Sequence, residues 1–197
     1  MRTPDFVLAV MPVVEALSAL GVSHYVGGSV ASSAHGIARA SLDVDLIADL
    51  REEQVAPFVS RLASAYYIDE DRAREAVRTR RPFNLIHLET MLKVDVFVSK
   101  GRAFDEEALR RARPQALEDA PDVPQVLVAS AEDTVLAKLE WFRAGGETSE
   151  RQWSDVVGVL KTSGPRVSYD YLRRWGEQLG VRDLLDRALE EAGQTRE

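Results

Sequence analysis

Two short stretches of the chain alternate apolar with charged residues, and this alternation constrains the fold more than any other feature. Residues 42–48 read LDVDLIA and residues 92–98 read LKVDVFV. Because successive side chains of a β-strand point to opposite faces, each stretch predicts a strand with one wholly apolar face. Asp43 and Asp45 then lie on the other face of the first strand, and Asp95 lies on the corresponding face of the second. If the two strands are neighbours in one sheet, the three carboxylates converge.

Converging carboxylates repel one another, so a site built from Asp43, Asp45 and Asp95 needs a compensating charge. In a partly desolvated site, each close pair costs on the order of a few kcal/mol at an effective dielectric constant of about 20. Protonation offsets that cost, and so does a divalent cation. Oxygen ligands without His or Cys suit a hard cation, Mg²⁺ or Mn²⁺. A solvated face is the alternative, because Asp-x-Asp arises often by chance in a chain with 29% charged residues.

A glycine-led loop precedes the first of these strands. Gly27, Gly28 and Ser29 follow a short predicted strand and open a predicted helix. Glycines let the backbone approach a phosphate, and a helix N-terminus offers free N–H groups. The loop lacks the lysine of a Walker A motif and the glycine spacing of a dinucleotide-binding motif. A tight turn with a serine cap is the alternative interpretation.

The composition narrows the class of protein. The 197 residues suit one domain, or one domain with a modest extension, and 45% hydrophobic residues suit a real core. The net charge of -7 argues against a generic polyanion binder, with a local basic patch as the open alternative, and the absence of cysteine excludes disulfides and cysteine nucleophiles. The N-terminal apolar residues recur at helical spacing, and no apolar run is long enough to span a bilayer. We therefore expect a cytoplasmic protein with no membrane partner.

The elements predicted along the chain divide it into a mixed front portion and an all-helical rear portion. The strands near 83–89 and 92–98 are close enough to form a hairpin, whereas residues 101–125 predict irregular structure. From Ser130 onward the pattern is helical. Strands are predicted near 25–26, 42–48, 66–68, 83–89, 92–98 and 125–128, and helices near 52–64, 168–179 and 181–192, with others opening near Ser29, Ser130 and Trp153.

The loop and the first strand together are more specific than either alone. Gly-Ser at 28–29, thirteen residues, Asp-Val-Asp at 43–45 and a later strand aspartate resemble the signature of the nucleotidyltransferase superfamily with the DNA polymerase beta fold. The resemblance covers about residues 20–100. It implies that the phosphates of a nucleoside triphosphate are bound by Gly27, Gly28 and Ser29, and that the catalytic, metal-binding residues are Asp43, Asp45 and Asp95, with Asp95 able to act as a base.

A narrower resemblance reaches about residue 162. The stretch ARASLDVD from residue 38 is similar to the Arg-x-Thr-x-Asp-x-Asp motif of AbiEii-like nucleotidyltransferase toxins, with serine in place of threonine. Lys138 and Asp155, on successive predicted helices, resemble the lysine and aspartate of the helical portion of that family. The resemblance implies that Arg39 and Lys138 bind nucleotide. The alternatives are a loop salt bridge for Arg39, a lysine that extends past apolar neighbours for Lys138, and a surface or helix-pairing role for Asp155.

The fold class implied is α+β, with a small mixed β-sheet flanked by helices and followed by a C-terminal helical portion. Residues 1–118 form the nucleotidyltransferase core, and residues 119–197 form a helical portion packed on it. The function implied is magnesium-dependent transfer of a nucleoside monophosphate from an NTP such as ATP to a hydroxyl acceptor, either tRNA, a protein or a small molecule. A toxin–antitoxin setting adds a cognate antitoxin as a partner. The alternative is a catalytically inactive nucleotide-sensing or protein-interaction module of the same fold.

Two groups of charged or polar residues remain outside this scheme. The three histidines show no metal-ligand spacing, which favours structural roles for His24, His35 and His87. The arginine-rich stretch from Arg72 to Arg81 favours a solvated face over a guide for RNA or triphosphate.

Overall fold

A single seven-stranded mixed sheet organises the front of the chain. The computed structural model describes residues 5–36, 43–116 and 124–194. The strands are β1 (His24–Val26), β2 (Asp43–Ala48), β3 (Tyr66–Tyr67), β4 (Pro82–His87), β5 (Lys93–Val98), β6 (Arg113–Ala116) and β7 (Gln125–Val128). Their order in the sheet is β3-β4-β5-β2-β1-β7-β6, and the β2–β5 and β1–β7 pairs are parallel. The mixed sheet and its helices confirm the predicted α+β class.

The described residues also form nine α-helices. The helices are α1 (Asp5–Ala19), α2 (Gly28–Ala34), α3 (Glu52–Leu62), α4 (Glu70–Thr79), α5 (Ala103–Arg111), α6 (Ala131–Ala144), α7 (Glu150–Ser163), α8 (Tyr169–Gln178) and α9 (Arg182–Glu191). A 3₁₀ turn over Gly164–Arg166 follows α7. No helix in the described part of the chain is long and apolar enough to cross a membrane.

The chain divides into two compact units. The first comprises Met1–Val30 and Ala40–Val128, and the second comprises Ala31–Arg39 and Ala129–Glu197. All seven strands belong to the first unit, and α6 to α9 belong to the second. The predicted boundary between residues 118 and 119 lies outside the described residues, and the packing of the helical portion on the core stays a prediction.

The core of the first unit follows the strand alternation. Val44, Leu46 and Ala48 of β2 are buried, and so are the matching apolar residues of β5. Helices α1 and α3 pack against each other, with Phe58 among the fully buried side chains. Each fully buried aliphatic or aromatic side chain of this kind contributes about 1.5–3 kcal/mol. The apolar faces of β2 and β5 are thereby fixed inward, which leaves their charged faces on the other side of the sheet.

Three elements form where irregular structure or no element was predicted. Helix α4 begins after Asp69, whose carboxylate accepts a hydrogen bond from the backbone N–H of Arg72 at 3.0 Å. Its buried face holds only Ala73, Ala76 and Val77, so the apolar periodicity is hidden among charged residues. Helix α5 lies within the stretch predicted to be irregular, and β6 adds an edge strand beside β7. The prediction of irregular structure over 101–125 was therefore wrong for α5 and β6.

The second unit is a helical assembly with apolar packing and with buried carboxylates at Glu132, Asp133 and Asp155. Helix α6 begins after Ser130, where a helix was predicted to open, and Ser130 is its N-cap because its hydroxyl accepts a hydrogen bond from the backbone N–H of Asp133 at 3.1 Å. The carboxylate of Asp133 in turn accepts hydrogen bonds from the hydroxyls of Ser130 and Tyr171, each at 2.6 Å. Asp133 is 1% exposed, so these donors replace the water that the carboxylate loses on folding.

Candidate functional site

Strands β2 and β5 are neighbours and run parallel, as the convergence argument requires. The Cα partner of Asp45 is Asp95, and the Cα partner of Asp43 is Lys93. Residues that are paired between two neighbouring strands point to the same face of the sheet, so the charged faces of β2 and β5 form one surface. The predicted adjacency of the two strands is confirmed. The catalytic and metal-binding roles of Asp43, Asp45 and Asp95 stay predictions.

The carboxylates of the charged face differ in their exposure to solvent. The Asp43 side chain, at the start of β2, is 54% exposed, whereas the Asp95 side chain is 20% exposed. Asp45 is intermediate in exposure. A ligand thus has access to Asp43 from solvent, while Asp95 lies in a partly desolvated environment in which charge interactions are stronger.

Lys93 supplies a positive charge within this set of carboxylates. Its Nζ lies 2.7 Å from Oδ2 of Asp95 and 3.8 Å from Oδ1 of Asp43. The hydrogen bond to Asp95 raises the pKa of Lys93 above its usual value; desolvation opposes the rise, and the negative charges of Asp95, Asp43 and Asp45 add to it. The sequence placed Lys93 on the same face as Asp95 but assigned it no role. Its position two residues before Asp95 was the available signal.

Gly28 is required by the geometry around Asp45. Gly28 has φ +56°, in the left-handed region that favours glycine, and a Cβ there would collide with the Asp45 carboxylate. The adjacent Gly27 donates a backbone hydrogen bond to the carbonyl oxygen of Asp45 at 2.8 Å. The loop and β2 are thus in direct contact, and Ser29, the next residue, is buried. Binding of phosphates by Gly27, Gly28 and Ser29 stays a prediction.

The donor set suits a hard cation, whereas the side-chain arrangement accommodates an ammonium group. Carboxylate oxygens from two adjacent strands are the ligands that Mg²⁺ or Mn²⁺ prefers. Within residues 5–36, 43–116 and 124–194, no three His, Asp or Glu side chains are arranged to hold one metal ion. Lys93 reaches both Asp43 and Asp95 and so partly neutralises them. The metal site stays a prediction. The carboxylate chemistry supports it, but the side-chain conformations of the described residues do not bring three ligands together.

Comparison with known proteins identifies the fold. No protein-family model and no curated protein matches the chain. The antibiotic-resistance factor ANT(2'')-Ia in solution matches with a TM-score of 0.52 and 12% identity over 95% of this chain and 94% of that one. Its crystal structure with adenylyl-2''-tobramycin gives 0.56 and 12% over 91% and 99%. An antigenic nucleotidyltransferase-like protein from Paracoccidioides brasiliensis gives 0.51 and 14% over 96% and 94%. The chain has the nucleotidyltransferase fold.

Two cations outside the loop, Arg39 and Lys138, were also predicted to bind nucleotide. Arg39 lies outside the described residues. Lys138 lies on α6, and its Nζ is 2.8 Å from Oδ2 of Asp155 on α7. The two side chains are 11% and 6% exposed, so Lys138 does not extend to solvent past apolar neighbours. The pair joins two helices, and a role of Lys138 in nucleotide binding stays a prediction, as does the narrower resemblance to AbiEii-like toxins.

The histidines have structural contacts, as predicted. Nδ1 of His24 is 2.8 Å from the carbonyl oxygen of Val22, and Nε2 of His35 is 2.8 Å from that of Ala129. Nδ1 of His87 is 2.9 Å from the Thr90 hydroxyl. Each ring is thus engaged within its own unit of the nucleotidyltransferase fold.

The arginine-rich stretch forms ion pairs on α4 and at its C-terminal end. Arg74 donates to Glu70 at 2.6 Å, and Arg78 donates to Glu52 of α3 at 2.8 Å. The pKa of Glu52 is lowered, chiefly by its hydrogen bond with Arg78. Arg80 follows α4 and lies 3.4 Å from Asp49. Because these arginines are paired within the protein, the arrangement favours the predicted solvated face over a binding surface for phosphates.

Proposed function

We propose that the chain is a metal-dependent nucleotidyltransferase that transfers a nucleoside monophosphate from an NTP to a hydroxyl acceptor and releases pyrophosphate. The observation that carries this proposal is the parallel register of β2 and β5, which sets Asp45 opposite Asp95 on the charged face of the sheet. The fold is one that nucleotidyltransferases share. Because fold alone does not establish chemistry, the acidic face of this sheet is what supports the assignment.

The residues of the first unit have distinct parts in the proposed reaction. Asp43, Asp45 and Asp95 would hold Mg²⁺, which supplies charge neutralisation for the phosphates and the developing transition state. The loop at Gly28 and Ser29, which contacts Asp45 in this fold, would bind the phosphates through its backbone N–H groups.

The proposed step forms one bond and breaks one bond at the α-phosphorus of the NTP. The acceptor oxygen forms a bond to the α-phosphorus, the bond from that phosphorus to the bridging oxygen breaks, and the electron pair leaves with pyrophosphate. Asp95 would accept the hydroxyl proton. Its side chain is 20% exposed, whereas that of Asp43 is 54% exposed, so Asp95 is the more enclosed carboxylate of these two. Positioning and charge neutralisation thus account for the catalysis, without a covalent intermediate on the protein.

Two observations bear on the class of acceptor, and they favour different acceptors. ANT(2'')-Ia, solved with adenylyl-2''-tobramycin, supports a hydroxyl of a small molecule, and the net charge of -7 favours it over a polyanion. The motif resemblance to AbiEii-like toxins supports tRNA or a protein as acceptor, and with it a toxin–antitoxin setting and a cognate antitoxin. We place the small molecule before tRNA, because the net charge of -7 disfavours a polyanionic acceptor.

A labelling experiment tests the proposal. The protein is incubated with each α-³²P-labelled NTP and Mg²⁺, in parallel with a panel of aminoglycosides and with a cell extract. We expect label to pass to an acceptor, and we expect Asp45→Asn to lower the rate by roughly 10³-fold or more, since metal-supplied charge stabilisation amounts to several kcal/mol. Asp71→Asn is the matched control, because Asp71 is an exposed aspartate of α4 in the same unit.

The alternative function has its own outcome in this experiment. Metal-dependent binding of an NTP without transfer to any acceptor would contradict the enzyme and favour an inactive nucleotide-sensing module of the same fold. Transfer that persists in Asp45→Asn would also contradict the proposal, because the carboxylate would then be dispensable.

A further inference from the structure

Lys93 occupies the position between carboxylates in which a bound cation would be expected. It extends from β5 directly opposite Asp43 of β2, and its ammonium lies 2.7 Å from Asp95 and 3.8 Å from Asp43. One side chain thus contacts an acidic residue on each of two strands. An ammonium group that close supplies the same kind of compensation that a metal ion supplies to carboxylates.

The pair between Lys93 and Asp95 is open rather than locked into the core. The Lys93 side chain is 41% exposed. On the other side of β5, its register partner is Ile86 of β4, which carries no charge. A lysine with that exposure has a flexible four-carbon stem and strongly hydrated head, so it exchanges between protein and water at small cost.

An ammonium and a divalent cation cannot share the same carboxylate oxygens at close range. A metal of the Mg²⁺ class binds oxygen at about 2.0–2.1 Å and demands near-ideal octahedral geometry. The ammonium 2.7 Å from Oδ2 of Asp95 would then lie close to a like charge. Either the ammonium leaves or the metal binds weakly.

We propose that Lys93 is a positioning residue that acts as an internal counter-cation. In the metal-free protein it holds the Asp43 and Asp95 carboxylates together, and an incoming divalent cation displaces it from Asp95. This inference rests on the proposed metal-dependent function. It extends that function, because it makes metal binding an exchange of one cation for another and sets the metal affinity by the charge at position 93.

Calorimetric titration of the purified full chain with Mn²⁺ and with Mg²⁺ tests the exchange. We expect Lys93→Met to bind the metal roughly three- to tenfold more tightly, because no bound cation has to be displaced. Lys93→Arg keeps the charge and should bind with affinity near that of the unchanged protein. Lys161→Met, at an exposed lysine of α7, is the charge-matched control and should change nothing.

Thermal unfolding in EDTA gives a readout that needs no metal. Lys93→Met should melt at a lower temperature than the unchanged protein in EDTA, because the Lys93 ammonium no longer offsets the charges of Asp43 and Asp95. Added Mg²⁺ should then raise its melting temperature by more than it raises that of the unchanged protein. If Lys93→Met does not fold, Lys93→Gln repeats both measurements with a polar side chain of similar reach.

The results separate this inference from the function on which it rests. Metal affinity that is unchanged or weaker in Lys93→Met, while the unchanged protein binds metal, overturns the exchange and leaves the proposed function intact. Absence of metal binding in every variant overturns both. A purely structural lysine would lower the melting temperature and leave the metal affinity unchanged, so the affinity decides.

Discussion

Two of the lysine–aspartate ion pairs in the described part of the chain have nearly equal lengths and different environments. Lys93 and Asp95 are separated by 2.7 Å in the first unit, and Lys138 and Asp155 by 2.8 Å in the second. The side chains of the first pair are 41% and 20% exposed, whereas those of the second are 11% and 6% exposed. A contact distance therefore says little about what an ion pair does, because burial decides whether the partners can separate.

Burial makes the second pair an obligatory structural element and leaves the first exchangeable. Removal of one partner of a buried pair leaves a charge without compensation in a low-dielectric environment. Removal of one partner of an exposed pair leaves a charge that water can solvate. The open pair is also the one that lies among the carboxylates of the candidate site, where exchange of a cation would be useful.

The largest effect is expected at the buried pair. Asp155→Asn should lower the free energy of unfolding by about 3–5 kcal/mol, because the Lys138 ammonium remains buried without its counter-charge. Urea denaturation measures the loss. The double substitution Lys138→Met with Asp155→Leu should recover much of it, since an apolar pair of similar volume replaces both charges.

The control for the buried pair is an exposed one on the same helix assembly. Arg143 donates to Asp183 at 2.7 Å, and Asp183 is 70% exposed. Asp183→Asn should cost far less stability than Asp155→Asn. Equal losses at the two positions would show that burial does not distinguish these pairs, and the comparison would fail.

A smaller loss is expected at the contact between the loop and β2. Gly28→Ala combines a left-handed φ of +56° with a collision between its Cβ and Asp45, and should cost about 1–3 kcal/mol. Gly21→Ala is the matched control, because Gly21 has φ +66° and no atom within 4 Å of a Cβ. A cost at Gly28 no greater than that at Gly21, measured by urea denaturation, would remove the argument that the loop must contact Asp45 closely.

The smallest effect is expected at the open pair. Lys93→Met in metal-free buffer should cost less than about 1 kcal/mol, because the Lys93 side chain is 41% exposed and Asp95, at 20%, keeps some contact with water. Raising NaCl from about 0.1 M to 1 M should shrink this cost further, since the Debye length falls from about 10 Å to 3 Å. The cost of Asp155→Asn should persist in high salt. A salt-independent cost at Lys93 would indicate a buried pair and contradict the assignment of an exchangeable one.

Local pattern was sufficient for the elements that carry the site. The alternation in LDVDLIA and LKVDVFV predicted β2 and β5 and the faces of Asp45 and Asp95, because a strand has a two-residue period. The α4 and α5 helices were missed for a physical reason: their buried faces are mostly alanine or a single large residue, such as Phe104 in α5, among charges that obscure the helical period. Edge strand β6 was missed because its residues are largely exposed and carry no alternation.

The contacts of individual charged residues could not be predicted from the sequence. Lys138 was singled out as a nucleotide-binding residue and Lys93 was given no role, and the spacing of neither predicted that the Lys93 pair would be open and the Lys138 pair buried. Gly28 was predicted from its usefulness near a phosphate, whereas the fold requires it because Asp45 lies against it. These features depend on which strands and helices become neighbours, and long-range pairing leaves no local trace.

By itself, the sequence determined the period of each strand, and therefore which residues of β2 and β5 share a face, because backbone geometry fixes side-chain direction residue by residue. Only the tertiary structure decided the parallel register that sets Asp45 opposite Asp95, and the exposure that makes the Lys93 pair open and the Lys138 pair buried. Register and burial are properties of the assembled sheet and helices, since each depends on residues far apart in the chain.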